Sequence, residues 1–230
     1  MSGRHAMAVR LTDGLGAGSD QSLNDVCITF AESLVSNAAG VIAGAKPAAI
    51  FSIPMRAYSA GKWRRLVRQA LDEALRAYAE MLPAYGMRVA VLHRTDRRVF
   101  LLVWRDCELA DSLGDPEAVA ILREQGYEGV TPQELLCELR RRLVGYYHAP
   151  KAPASAFPHE IGDFLGYPPE DVRGFMEGKE ATCRGAWHAY GDEHAAKRRF
   201  RALEAQERRC RSRFAAGEPL HALFAAQPAI

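Results

Sequence analysis

His159 and Glu160 follow Pro158 in the run FPHEIGDFLGYPPEDVRGF, residues 157 to 175, and Asp163 stands four residues beyond the histidine. On a helix that spacing sets an imidazole and a carboxylate on one face. A carboxylate so placed can orient the ring for acid–base work or begin a metal site that needs further ligands. The same residues also have a structural use, in which a half-buried histidine bonds to the next turn and the carboxylates satisfy helix ends. No further ligand stands at a diagnostic spacing, and H-E-x-x-H is absent because position 163 is Asp163. The residues therefore assign no metal ligands.

The elements that must hold these side chains are written in the same run. Proline at a first helical position, followed by acidic residues, is a helix start, because the missing N–H is not needed there and the carboxylates meet the positive end of the helix. Pro158 is expected to open one helix, with Ile161, Phe164 and Leu165 inside and Gly166 ending it in the left-handed conformation. Pro168 and Pro169 open the next, with Glu170 and Asp171 in its first turn and Val172, Phe175 and Met176 on its apolar face. The result is a tight helical hairpin. Packing explains its apolar residues; it does not require His159, Glu160, Tyr167 or Asp171.

The rest of the chain reads as an α+β fold, a small mainly antiparallel sheet packed against several helices with a helical C-terminal part. Residues 1–22, rich in Gly, Ser, Asp and Arg, read as a flexible leader. Apolar residues at Val26, Phe30, Leu34 and Val41 give a helix, ended by Gly40, Gly44 and Pro47, and Ala48 to Ile53 a short buried strand. Gly61 to Leu82 has the i, i+3, i+4 pattern of an amphipathic helix. Met87 to His93 and Arg98 to Arg105 are strands joined by the short loop Arg94 to Arg97. Helices are expected over Cys107 to Leu113, from Pro116 to Gly126, and from the cap Thr131 to Tyr147. Residues 148–156, HAPKAPASA, read as a linker between an α+β part, 23–147, and a C-terminal part, 157–230, packed on it as one globular unit. In that second part Thr182 to Tyr190 is expected to be a strand. Asp192 caps a long helix from Glu193 to Ala216, and a short one follows Pro219.

Composition removes several classes. The chain has 230 residues, 48% hydrophobic and 25% charged, which is ordinary for a globular protein. With 30 basic against 28 acidic residues, net +2, it lacks the global field of a dedicated nucleic-acid binder. No apolar run reaches the roughly 18 residues of a membrane-spanning helix, and the first twenty residues contain no signal-peptide core. A cytoplasmic protein without membrane insertion is the expectation. Cys27, Cys107, Cys137, Cys183 and Cys210 are too scattered for a disulfide framework or a zinc ribbon.

Other chemistries are thinly represented. Gly14, Gly16 and Gly18 follow no strand, so they form no phosphate loop, and there is no G-x-S-x-G elbow. Trp63, Trp104 and Trp187 with Tyr146, Tyr147, Tyr167 and Tyr190 are enough to line a pocket for a planar ligand, or simply to fill a core. Residues 197–213 carry Lys197, Arg198, Arg199, Arg201, Arg208, Arg209, Arg211 and Arg213 outside a stripe of Ala196, Phe200, Leu203, Cys210 and Phe214. Such a helix could meet phosphates, although a solvated face is the simpler reading.

The 157–175 run, with Trp187-x-x-Tyr190-Gly191-Asp192 and the basic helix, resembles an uncharacterised bacterial domain-of-unknown-function family with the signature PHEIGxFLGYPxxDVxGF. The likeness covers about Ala38 to Ala216. Members share a stretch like C-A-P-T-L-A-G-I-K, matched by Ala38 to Lys46, so the family cysteine is Ala38 in this chain. A cysteine there with the motif histidine would suggest a nucleophile and its base; here the nucleophile is missing. The resemblance implies no activity, substrate or cofactor.

The reading that follows is a non-catalytic binding or accessory protein with a small-molecule or protein partner. Its surface is expected where the motif hairpin meets Trp187 and Tyr190, built from His159, Glu160, Tyr167 and Asp171, with Lys46 as an anion contact. The alternatives are an enzyme using His159 as general base, with a metal or planar cofactor, and a nucleic-acid binder working through residues 197–213, the less favoured of the two.

Overall fold

The computed structural model describes residues 21–54, 62–149, 153 and 157–225, with side chains from Thr29 onward in the first helix and from Arg68 in the second. The leader expected over 1–22 lies outside the described residues as far as residue 20, as does most of the 148–156 linker. Trp63 and Cys27 carry no described side chain.

Three strands make the central sheet: β1 (Ala48–Pro54), β2 (Met87–Arg94) and β3 (Arg98–Arg105), in the order β1-β3-β2 and antiparallel throughout. Both faces are covered, so alternate residues serve different cores. Ala49, Phe51, Val99, Leu101, Val103 and Met87 face one core. Helices α1 (Gln21–Ile42) and α2 (Lys62–Met81) cover it. Ala48, Leu92 and Leu102 face the other. There lie α3 (Asp106–Gly114), α4 (Pro116–Glu124) and α5 (Pro132–His148). A bulge between Val91 and His93 lets both Leu92 and His93 serve this second face.

The C-terminal part contributes to both cores. It contains α6 (Ile161–Phe164), α7 (Pro169–Met176), the two-residue strands β4 (Cys183–Arg184) and β5 (His188–Ala189), α8 (Glu193–Ala215) and α9 (Leu220–Ala225). Phe164 joins the second core; Cys210, Leu220, Leu223 and Phe224 join the first. The expected α+β architecture is present.

Local chemistry places most of the boundaries. Thr131 and Glu134 form a reciprocal capping box at α5, and Asp115 accepts from Glu117 N–H at 2.8 Å to open α4. Buried Arg105 is the main polar tie of the first core. Its guanidinium donates to the carbonyls of Val41 (2.7 Å) and Ile42 (3.0 Å) at the end of α1, where helical partners run short, and to that of Phe224 in α9 (3.3 Å).

Two expectations change. Thr182 to Tyr190 is not a strand of the main sheet: the chain reverses at Gly185 and Ala186, and pairs Arg184 with His188 and Cys183 with Ala189 in a separate hairpin. The helix after Pro158 is also shorter than expected. Ile161, Gly162 and Asp163 N–H groups bond three residues back, to Pro158, His159 and Glu160, so the segment before Ile161 is a tight 3₁₀-type turn.

Candidate functional site

The motif hairpin is set by one glycine. After α6, Gly166 adopts φ +74°, Tyr167 N–H bonds the Gly162 carbonyl at 2.9 Å and Gly166 N–H that of Asp163 at 3.3 Å, the two bonds of a Schellman end. A Cβ at Gly166 would also stand 2.4 Å from Pro47 Cδ. The reversal leads through Tyr167 to Pro168, the N-cap of α7.

Asp171, in the first turn of α7, then fastens the hairpin to the β4–β5 loop. It accepts from Trp187 Nε1–H at 2.7 Å and from Tyr190 N–H at 2.6 Å, and is itself 4% exposed. Held by this bond, the Trp187 indole stacks on Tyr167 (centroids 5.2 Å, 24° between planes) and meets Phe200 of α8 edge-on at 4.6 Å.

These contacts leave a cavity of about 390 Å³ between the two hairpins. Phe157, His159, Tyr167, Asp171, Phe175 and Trp187 form much of its wall, with Ile50, Val172 and His188 among the rest. The lining is predominantly apolar. His159 makes no side-chain hydrogen bond among the described residues; its ring lies 5.4 Å from Phe157 and 5.0 Å, edge-on, from Phe175. Phe175 is 44% exposed at the rim, an unusual position for a large apolar ring.

Of the residues expected at the site, His159, Tyr167, Asp171 and Trp187 line this cavity together. Lys46 borders it indirectly, its ammonium 5.4 Å from the Tyr167 ring centroid; burial pushes its pKa down while Glu207 pulls it up. Glu160 and Tyr190 are placed elsewhere. The Glu160 carboxylate is sealed in a network with Tyr127 O–H (3.0 Å) and Arg142 (3.1 Å), whose guanidinium lies over the Tyr127 ring. Tyr190 packs its ring against Gly174, where a Cβ would approach to 2.5 Å, and gives the site only its backbone N–H.

The face shared by His159 and Asp163 does not form. The 3₁₀-type turn breaks the i, i+4 relation, and both Asp163 carboxylate oxygens are buried without a hydrogen-bond partner. Burial, then the charges of Glu160 and Asp115, push the Asp163 pKa up to about 8, which favours its protonated form. Among the described residues no group of three or more His, Cys, Asp or Glu is arranged to hold a metal ion.

A family model for proteins of unknown function, DUF3793, matches residues 34–224. The chain belongs to this family. No curated protein and no solved structure matches it. In this DUF3793 member Ala38 is buried in the first core, where α1 departs from helical geometry (φ −120°, ψ 22°), on the opposite side of the sheet from the His159 cavity. Among the described residues no helix is long and apolar enough to cross a membrane.

The basic helix is half self-neutralised. Lys197 pairs with Glu193, Arg208 with Glu204, Arg211 with Glu207 and Arg213 with Glu218, while Arg198, Arg199, Arg201 and Arg209 stay exposed without an ion pair among the described residues. Phe157, Phe175 and His188 were not legible as site residues. Phe175 carries the same helix-packing pattern as a core residue, Phe157 stands before the helix start as one more apolar residue, and the only signal for His188 was its place beside Trp187.

Proposed function

We propose that this protein is a ligand-binding protein whose site is the cavity between the α6–α7 hairpin and the β4–β5 hairpin. The observation that carries this reading is the pocket of about 390 Å³ walled by aromatic rings, with Phe175 exposed at its mouth. A cleft of this size with few polar groups suits a small, largely apolar ligand that stacks on rings. The reading is of binding, which the ring contacts of His159 with Phe157 and Phe175 support: they make it part of the aromatic wall. We further infer cytoplasmic residence, from the scattered cysteines.

Calorimetric titration with 2-naphthol, a planar apolar probe, tests the reading. Wild-type protein binds it at one site, and Phe175→Ala, a change at a partly exposed position, weakens binding by at least about tenfold, as loss of one stacked ring implies. Absence of saturable binding to the wild type overturns the reading, and so does an affinity indifferent to Phe175→Ala.

A further inference from the structure

Asp171 is the one acidic side chain in the cavity lining among the described residues, beside the imidazoles of His159 and His188 in a mainly apolar wall, and it is more than nine-tenths buried. A buried carboxylate is costly unless hydrogen-bonded and paired with positive charge. Two hydrogen bonds are present, from Trp187 and Tyr190. A full positive charge is not: beyond the partial charge at the start of α7, no Lys, Arg or His among the described residues lies within ion-pair distance of Asp171. Cations on neighbouring elements are committed elsewhere. Arg173, two residues along α7, is held by both carboxylate oxygens of Glu124 at 2.9 and 3.2 Å. Lys46 lies against the Tyr167 ring with Glu207 as its counter-charge.

Around this uncompensated carboxylate stand the rings of Phe157, Tyr167, Phe175 and Trp187, whose faces carry the negative part of the aromatic quadrupole. Rings and a carboxylate converging on one apolar space favour a weakly hydrated cation over a neutral ligand of the same shape. Alkylated ammonium groups meet that description. Their charge is spread over methyl groups, so they lose little hydration on entering and need no hydrogen-bond acceptor of their own. An anion would meet the Asp171 charge directly.

We propose that the cavity selects a small organic cation, an aryl- or alkylammonium whose head group sits toward Asp171 and whose apolar body lies along Phe157, Val172 and Phe175. This rests on the binding reading above and adds the charge of the ligand to it.

The test is a matched pair of probes, phenyltrimethylammonium and its neutral isostere tert-butylbenzene, each competed against bound 2-naphthol at pH 7.5 with the full chain. The cation is expected to displace 2-naphthol at least about tenfold more effectively, as a desolvated cation–π and carboxylate contact implies. Asp171→Asn, which keeps an acceptor for Trp187, is expected to bring the two probes' affinities together, whatever its own affinity for 2-naphthol. The ligand pair decides alone where that variant does not fold. Equal or better displacement by tert-butylbenzene overturns the cation inference and leaves the pocket reading standing. Failure of 2-naphthol itself to bind removes the pocket reading, and the cation inference with it.

Discussion

The Trp187 indole N–H donates to Asp171 Oδ2 across 2.7 Å, joining a two-strand hairpin to the first turn of a helix sixteen residues earlier. Neither element has a large core of its own. The β4–β5 hairpin has only two residues per strand, and α7 only eight in all. The bond therefore fixes both the cavity wall and the orientation of the ring that stacks on Tyr167.

Removing that carboxylate tests its structural share. Asp171→Ala leaves the Trp187 and Tyr190 N–H groups without their acceptor, and each such loss costs about 1–3 kcal/mol. A total loss of roughly 2–4 kcal/mol is expected by urea denaturation. A loss below about 1 kcal/mol would show that the two hairpins are held by packing instead.

Asp163 gives a pH signature. Its folded pKa, raised to about 8, exceeds the unfolded value of about 3.9. Between those values the folded chain keeps a proton that the unfolded chain releases, so this group's contribution is full below about pH 4 and is lost as pH rises to about 8. Asp163→Asn removes the dependence. Relative to wild type it is expected to gain stability by roughly 2–5 kcal/mol between pH 4.5 and 8.5, measured by denaturation at both values. A stability difference that stays constant with pH would show that Asp163 ionises freely in the fold.

Two left-handed glycines separate conformation from contact. Gly178→Ala (φ +69°, open space around it) is expected to cost about 1 kcal/mol, the backbone penalty alone. Gly166→Ala adds the approach to Pro47, and a loss at least about 1 kcal/mol larger is expected. Equal losses in thermal or urea unfolding would mean that the Pro47 segment moves aside freely.

Arg105 is expected to be the most sensitive single polar residue of the first core. Arg105→Ala takes the guanidinium donor from the carbonyls of Ile42 and Phe224 and leaves Val41 only its Gly44 N–H, and a loss of roughly 3–5 kcal/mol or failure to fold is expected. Near-neutral behaviour in denaturation would show that water replaces the guanidinium.

What could be read from sequence was local. The cap at Thr131, the helix start at Pro116 and the left-handed end at Gly166 each depend on residues within a few positions, and the helices they bound are present. The β2–β3 hairpin was legible for the same reason, its loop being closed by Thr95 and Arg98. Partners far along the chain were not. Glu160 looked like a site residue because nothing nearby explained it; its partner Tyr127 lies 33 residues away. Apolar alternation over Thr182 to Tyr190 could not distinguish a long strand from one folded back at Gly185. Phe175 had the spacing of a buried helix face, but whether another element covers that face is set by tertiary packing.

The central claim is that the aromatic cavity is a binding site, and the indole N–H resonance of Trp187 reports on it from inside. Titrating isotope-labelled protein with 2-naphthol, the account predicts a saturable shift of that resonance, identified by its loss in Trp187→Phe, and a weaker, right-shifted titration in Phe175→Ala. A Trp187 signal that stays put while 2-naphthol is raised to its solubility limit would contradict it.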